Sequence, residues 1–143
     1  MACAPLNSTV RFHLLADDIA VLERAYLKAS PTFGPHLSQL RRNWTEGQPS
    51  LFNVLSNLAY HLADTFDGPG AEETERVLRV VEDVLSEGDE DAVFATTHGL
   101  LSTLQSALRT KGIDPNALST NFGPKTKRWW NDLSKNWHGR LDW

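Results

Sequence analysis

The sequence predicts an all-α fold, a single compact bundle of five or six helices, and three observations carry that expectation. Apolar residues recur at spacings of three and four from about Asp17 onward, with no sustained alternation beyond a brief ambiguity at TVRFHLL (9–15). Proline and glycine interrupt this pattern at 30–31, 67–70, 112–115 and 123–124, cutting it into pieces of helical length. A chain of 143 residues, 41% hydrophobic and 22% charged, suits one domain over residues 1–143 whose core needs neither disulfides nor metals. Residues 1–16 are expected to form a mobile N-terminal segment.

The first helix is expected from Asp17, whose carboxylate caps the free amides of the first turn, to the Ser30-Pro31 break, with Ile19, Leu22 and Tyr26 as its stripe. A short segment carrying Leu37, Leu40 and Trp44 follows. Ser50 is placed as the N-cap of a strongly patterned helix, with Leu51, Val54, Leu55, Leu58, Leu62 and Phe66 on one side, ending at Asp67-Gly68-Pro69-Gly70. Residues 71–112 read as an antiparallel, HEAT-like hairpin turning at Gly88, with Asp89 or a neighbouring acid starting its second arm. In the first arm Val77, Val80, Val81, Val84 and Leu85 face inward, and Glu72, Glu75, Arg79, Glu82 and Asp83 face out. In the second, Val93, Phe94, Thr97, Leu100, Leu101, Leu104 and Leu108 form the packing face. The small residues Ala95, Gly99, Ser102 and Ser106 line its opposite side, where another helix can approach closely, which puts this arm at the centre of the bundle. Gly123-Pro124 opens the last helix, proline sitting where a missing amide costs nothing, and Trp130, Leu133, Trp137 and Leu141 share its inner stripe.

Charge is segregated. Between Asp64 and Asp91 eleven acids face two arginines, a net of −9, while the remaining positions sum to +5. Localised charge of this kind steers encounter with a partner. Glu72–Arg76, Glu75–Arg79 and Arg79–Asp83 are spaced for ordinary surface ion pairs, but Glu87, Asp89, Glu90 and Asp91 crowd a turn with no basic neighbour in sequence. A basic contact surface on a partner is the expectation. Lys125, Lys127 and Arg128 make too short a basic stripe to follow a phosphate backbone, so nucleic acid is not expected. No basic start followed by a long apolar run marks an export signal, no run of about 18 apolar residues marks a membrane span, and the lone Cys3 fits a reducing compartment. A cytoplasmic location is expected.

No catalytic, cofactor-binding or metal-ligating residue is assigned, and the chain is read as a non-enzyme. Asn57, His61 and Asp64 share an edge of one helix, with His98 a conceivable further ligand, but the paired Glu-x-x-His, His-Glu-x-x-His and Cys-pair signatures are all absent. There is no Gly-x-Ser-x-Gly and no phosphate-cradling glycine loop, and no Arg-to-His spacing matches small helical ribonucleases. Four of the five tryptophans lie in the last two dozen residues. Trp130 and Trp137 read as core, whereas Trp129, Trp143 and Tyr60 are placed where a partner can reach them. The candidate partner-binding set is therefore Glu82, Asp83, Glu87, Asp89, Glu90, Asp91, Tyr60 and Trp129.

EDVLSEGDEDAVFATTHGLLSTLQSAL and NFGPKTKRWWNDLSKNW together resemble the paired signature of a family of small uncharacterised bacterial helical domains. In that family an acidic turn leads into a helix with a Gly-Leu-Leu core, and the last helix follows a Gly-Pro start and carries a Trp-Trp pair. The resemblance covers roughly Glu72 to Trp137. It implies association with toxin immunity loci, and hence an immunity protein that neutralises a cognate toxin by occluding its active site or substrate groove. The alternative is a non-catalytic helical adaptor or scaffold subunit.

Overall fold

The computed structural model describes residues 18–140, with side chains over 20–135. The expectations for residues 1–16, Asp17, Ile19, Trp137, Leu141 and Trp143 fall outside that description. Seven α-helical segments are present among the described residues: α1 (Asp18–Ala29), α2 (Gly34–Asn43), α3 (Leu51–Thr65), α4 (Ala71–Glu87), α5 (Glu90–Phe94), α6 (Ser102–Thr110) and α7 (Pro124–Arg140). Two 3₁₀ turns, Pro31–Phe33 and Pro115–Asn121, complete the order together with a π-helical stretch, Ala95–Leu101, that joins α5 directly to α6. The count exceeds the expected five or six because this π stretch divides one continuous rod, residues 90–110, into two α-helical ends.

Local chemistry accounts for most boundaries. Ser50 caps α3 by accepting the Asn53 amide at 3.2 Å, and Asp89 caps α5 by accepting that of Ala92 at 3.0 Å. At the end of α6, Gly112 takes φ +76°, with its amide bonded to the Arg109 carbonyl and the Ile113 amide to that of Leu108, both at 2.9 Å. That is a Schellman stop, where only glycine is free of strain.

The rod formed by α5, the π stretch and α6 lies at the centre, as its two-sided burial requires. Its close partner, however, is α3 and not α4. α4 touches the first part of the rod and its π stretch less closely than α3 does, and packs also against α1 and α7. Gly99 explains the preference: a Cβ there would lie 3.2 Å from the Phe52 carbonyl oxygen, and the Gly99 carbonyl accepts the Ser56 hydroxyl at 3.1 Å. The small face of the rod admits α3 nearly to backbone contact.

The core runs through Leu22, Tyr26 and Phe33 into Leu55, Leu58 and Leu62 of α3, Val77, Val81 and Val84 of α4, and Leu100, Leu101, Leu104 and Leu108 of the rod. Trp130, 1% exposed, closes it from α7, where the buried Gln105 side-chain amide donates to its carbonyl at 2.8 Å. From α1, the Tyr26 hydroxyl reaches Thr96 at 3.0 Å inside the core. Two carboxylates of α4 hold its neighbours. Glu73 accepts from the Ser30 hydroxyl (2.6 Å), the Thr32 hydroxyl (2.7 Å) and the Thr32 amide (3.4 Å) at the 3₁₀ entry to α2. Glu82 accepts from the amides of Lys125 (3.1 Å) and Thr126 (2.9 Å) and from the Thr126 hydroxyl (2.9 Å) at the start of α7. Both meet helix starts, where unpaired amides favour negative charge.

Candidate protein-interaction face

The turn between α4 and α5 is tight because Gly88 has no side chain: a Cβ there would fall 2.6 Å from the Val84 carbonyl oxygen and 3.2 Å from Ala92 Cβ. With Asp89 as cap, Glu90 and Asp91 occupy the first turn of α5, where the helix dipole stabilises them. Both are exposed, as is Glu87 on the other side of the turn.

One turn further on, Phe94 is 55% exposed. The 3.6-residue spacing places it on the rod's packing face; the structure turns it to solvent. The cause is the π stretch, which adds residues to the rod without a break and so shifts everything before it by about one residue, or 100°, relative to the leucines after it. Ala92 and Ala95, close on either side of Phe94, are buried where it is not.

Phe94 is the centre of an aromatic band that crosses three elements. Its ring lies 6.0 Å from that of Phe52, which opens α3 and is 38% exposed. On the other side it stacks on His98 at 4.6 Å and 19°, and His98 in turn meets the edge of Trp129 on α7 at 6.5 Å. The hydrogen bonds fix the imidazole's orientation. The Thr97 hydroxyl lies 2.8 Å from the Val93 carbonyl and 2.9 Å from His98 Nδ1, which ties the ring to its own helix.

The expected partner-binding residues separate. Glu87, Asp89, Glu90 and Asp91 lie at the acidic turn beside Phe94, and Trp129, half-buried, closes the band from α7. Tyr60 is 57% exposed, but no ring contact joins it to the band. Asp83 lines a groove of about 580 Å³ between α1 and α4, together with Arg24 and Lys28. Glu82 corrects the expectation of an outward side chain: it is half-buried and turned onto α7. Partial burial pushes its carboxyl up, but the amides of Thr126 and Lys125, the Thr126 hydroxyl and the Lys125 charge outweigh this and hold it below the usual carboxylate range. Phe52 and Phe94 were absent from the candidate set. The available signal was the acid at 90 and 91, one helical turn before Phe94, which marks that side of α5 as solvent-facing.

The polar edge of α3 has a different set of neighbours from those expected. Asp64 pairs with Lys111 at 2.6 Å, while His61 turns to α2, its ring 4.8 Å from that of His36. His61 Nε2 lies 2.8 Å from the Thr32 hydroxyl, which itself lies 2.7 Å from Glu73. An ionised carboxylate only accepts, so the hydroxyl proton goes to Glu73 and His61 donates to Thr32. This is the reverse of a base activating a hydroxyl nucleophile. Among the described residues no three His, Cys, Asp or Glu side chains gather so that they could hold a metal ion. Nor is any described helix long and apolar enough to cross a membrane.

No curated protein and no solved structure matches the chain. A family model described as a domain of unknown function (DUF7674) matches residues 24–138, a span from α1 to the last turns of α7 that contains the acidic turn and the whole aromatic band. The chain belongs to that family.

Proposed function

We propose that this protein acts by binding another protein, as an immunity protein that covers the active site or substrate groove of a cognate toxin. The observation that carries the reading is Phe94, a large ring more than half exposed, in contact with Phe52 and His98 and one helical turn beyond Glu90 and Asp91. Exposed apolar area is worth about 25 cal/mol per Å² when a partner removes it from water, and aromatic anchors dominate such interfaces. The carboxylates beside the ring give the surface a sign. They favour a basic partner, chiefly by raising the rate of encounter, and a toxin whose substrate site is basic is neutralised by being covered. No reaction is needed for this, which agrees with an orientation of His61, Thr32 and Glu73 that does not activate a nucleophile.

The test is co-expression with the product of the neighbouring reading frame in a sensitive host. The chain should rescue growth, Phe94→Ala should lose rescue while keeping the helical spectrum, and Glu87→Gln/Glu90→Gln/Asp91→Asn should slow association most at low salt. A stable complex with a product that is not toxic would replace immunity with the adaptor role. Unimpaired rescue by Phe94→Ala would place the contact elsewhere.

A further inference from the structure

We infer that residues 9–15 of this chain, TVRFHLL, fold back over the groove between α1 and α4 and cover it. The inference goes beyond the reading of the Phe94 face and uses none of the rings of that face. The groove, about 580 Å³, falls within the roughly 300–1,000 Å³ of clefts that hold a ligand. Val21, Ala25 and Leu27 of α1 and Val80 of α4 line it, and all four are only partly buried. Val80 belongs to the stripe that spacing turns inward, so its open side is apolar surface that the described bundle leaves uncovered. The two rims differ in charge. Arg24 and Lys28, exposed and four residues apart, stand on the α1 side, and the exposed Asp83 stands on the α4 side.

Three observations name the occupant. The first is reach: Leu15 is three residues from Asp18, where α1 begins, and α1 is itself one wall of the groove. From Val21 to Lys28 the helix rises about 10 Å, and seven extended residues cover about 20 Å. A chain that reverses at Ala16-Asp17 therefore lies antiparallel to α1 along the whole groove. So short a tether holds the segment at an effective concentration on the order of millimolar, enough for contacts too weak to retain a free peptide. The second is pattern. Val10, Phe12 and Leu14 alternate with Arg11 and His13, so in extended form they share one face, the one that meets the groove floor. The third is charge: Arg11, the segment's one fixed charge, is repelled by the Arg24 and Lys28 rim and drawn to Asp83. Arg24 and Lys28 then donate to carbonyls of the extended backbone, which need partners once covered. Asp83 is thereby engaged by its own chain and is not offered to a partner.

The test uses the full chain, ¹⁵N-labelled and carrying a nitroxide at position 8 through Ser8→Cys/Cys3→Ser, with amide intensities compared before and after the nitroxide is reduced. The expected result is that amides of residues 24–28 and 80–83 lose most of their intensity, those nearest Lys28 most of all, while the Pro115–Asn121 turn keeps its own. Phe12→Ser/Leu14→Ser lies outside the described bundle, so it should restore the groove amides and leave the rest of the spectrum in place. Asp83→Arg should weaken the broadening, and adding Arg11→Asp should bring it back. Broadening confined to the first turn of α1, spread evenly over the surface, or unchanged in Phe12→Ser/Leu14→Ser overturns the inference, as does indifference to Asp83→Arg. A mixture of spin-labelled ¹⁴N chains with unlabelled ¹⁵N chains should show no broadening; if it does, the occupant comes from a second copy and docking within one chain is wrong. None of these readouts involves a toxin, so their failure leaves the Phe94 reading to its own rescue assay.

Discussion

Removing the Glu82 carboxylate should loosen α7 from the rest of the bundle. It accepts three hydrogen bonds from the first turn of α7, at 3.1, 2.9 and 2.9 Å, across 43 and 44 residues of chain. Loss of a helix cap costs about 1 kcal/mol, and a hydrogen bond to a charged group contributes about 1.5–3 kcal/mol where water is excluded. Glu82 is only half-buried, so water replaces part of what is lost, and Glu82→Ala should cost about 2 kcal/mol. Glu82→Gln keeps one acceptor oxygen and should cost roughly half as much. The assay is urea unfolding, in which 2 kcal/mol lowers the midpoint by roughly 1 M for a domain of this size. The pH dependence adds a second readout. Because the folded pKa is depressed, the charge-dependent stabilisation is fully present above the unfolded carboxyl pKa of about 4.3 and is lost as pH falls through the folded value. The gap between wild type and Glu82→Gln should therefore be constant near neutrality and close in acid. An unchanged midpoint at pH 7, or a gap that widens in acid, would refute the assignment of Glu82 as the cap of α7.

Trp130→Ala should cost about 3–5 kcal/mol, because the ring is buried and closes the core from α7; thermal unfolding followed by far-UV circular dichroism measures it. Gly112→Ala should cost about 1 kcal/mol, since φ +76° strains any residue with a Cβ; urea unfolding checks it, and an unchanged midpoint would remove the Schellman stop. Burial, and after it the neighbouring His36, push the His61 pKa below its ordinary value, so the folded state binds fewer protons than the unfolded one and stability falls as pH drops below about 6.5. In ¹H–¹³C NMR titrations His36→Asn should move the His61 midpoint upward, and no movement would mean that the two rings do not sense each other.

What could be read from the sequence was local. The stripe of α3, the caps Ser50 and Asp89 and the Gly112 stop each depend on residues within one or two turns, and spacing alone reveals them. The small face of the rod was also legible, though not the identity of the helix it admits. A short connection shows that α4 and α5 adjoin at one end and says nothing about which helix packs most closely along the rod, where Gly99 draws α3 onto it. Glu73 and Glu82 were illegible as caps because they serve helices more than forty residues away. Nothing in their own helix distinguishes them from the solvated Glu72 or Glu75. The acidic turn was visible as a charge cluster, but its aromatic neighbours were hidden by a periodicity argument that assumes one helical pitch throughout.

The π stretch also bears on how such a face could arise. One residue inserted into a regular rod whose surrounding core is too tight to eject it would be absorbed as a π turn of this kind. Such an insertion would rotate the aromatic ring before it by about 100° to the outside while the leucines beyond held their places. An exposed aromatic face would then appear in one mutational step, with the small Ala92 and Ala95 buried beside it. The reverse step is equally short: deleting one residue between 95 and 101 should let the rod relax to uniform α-helix and turn Phe94 back toward the core.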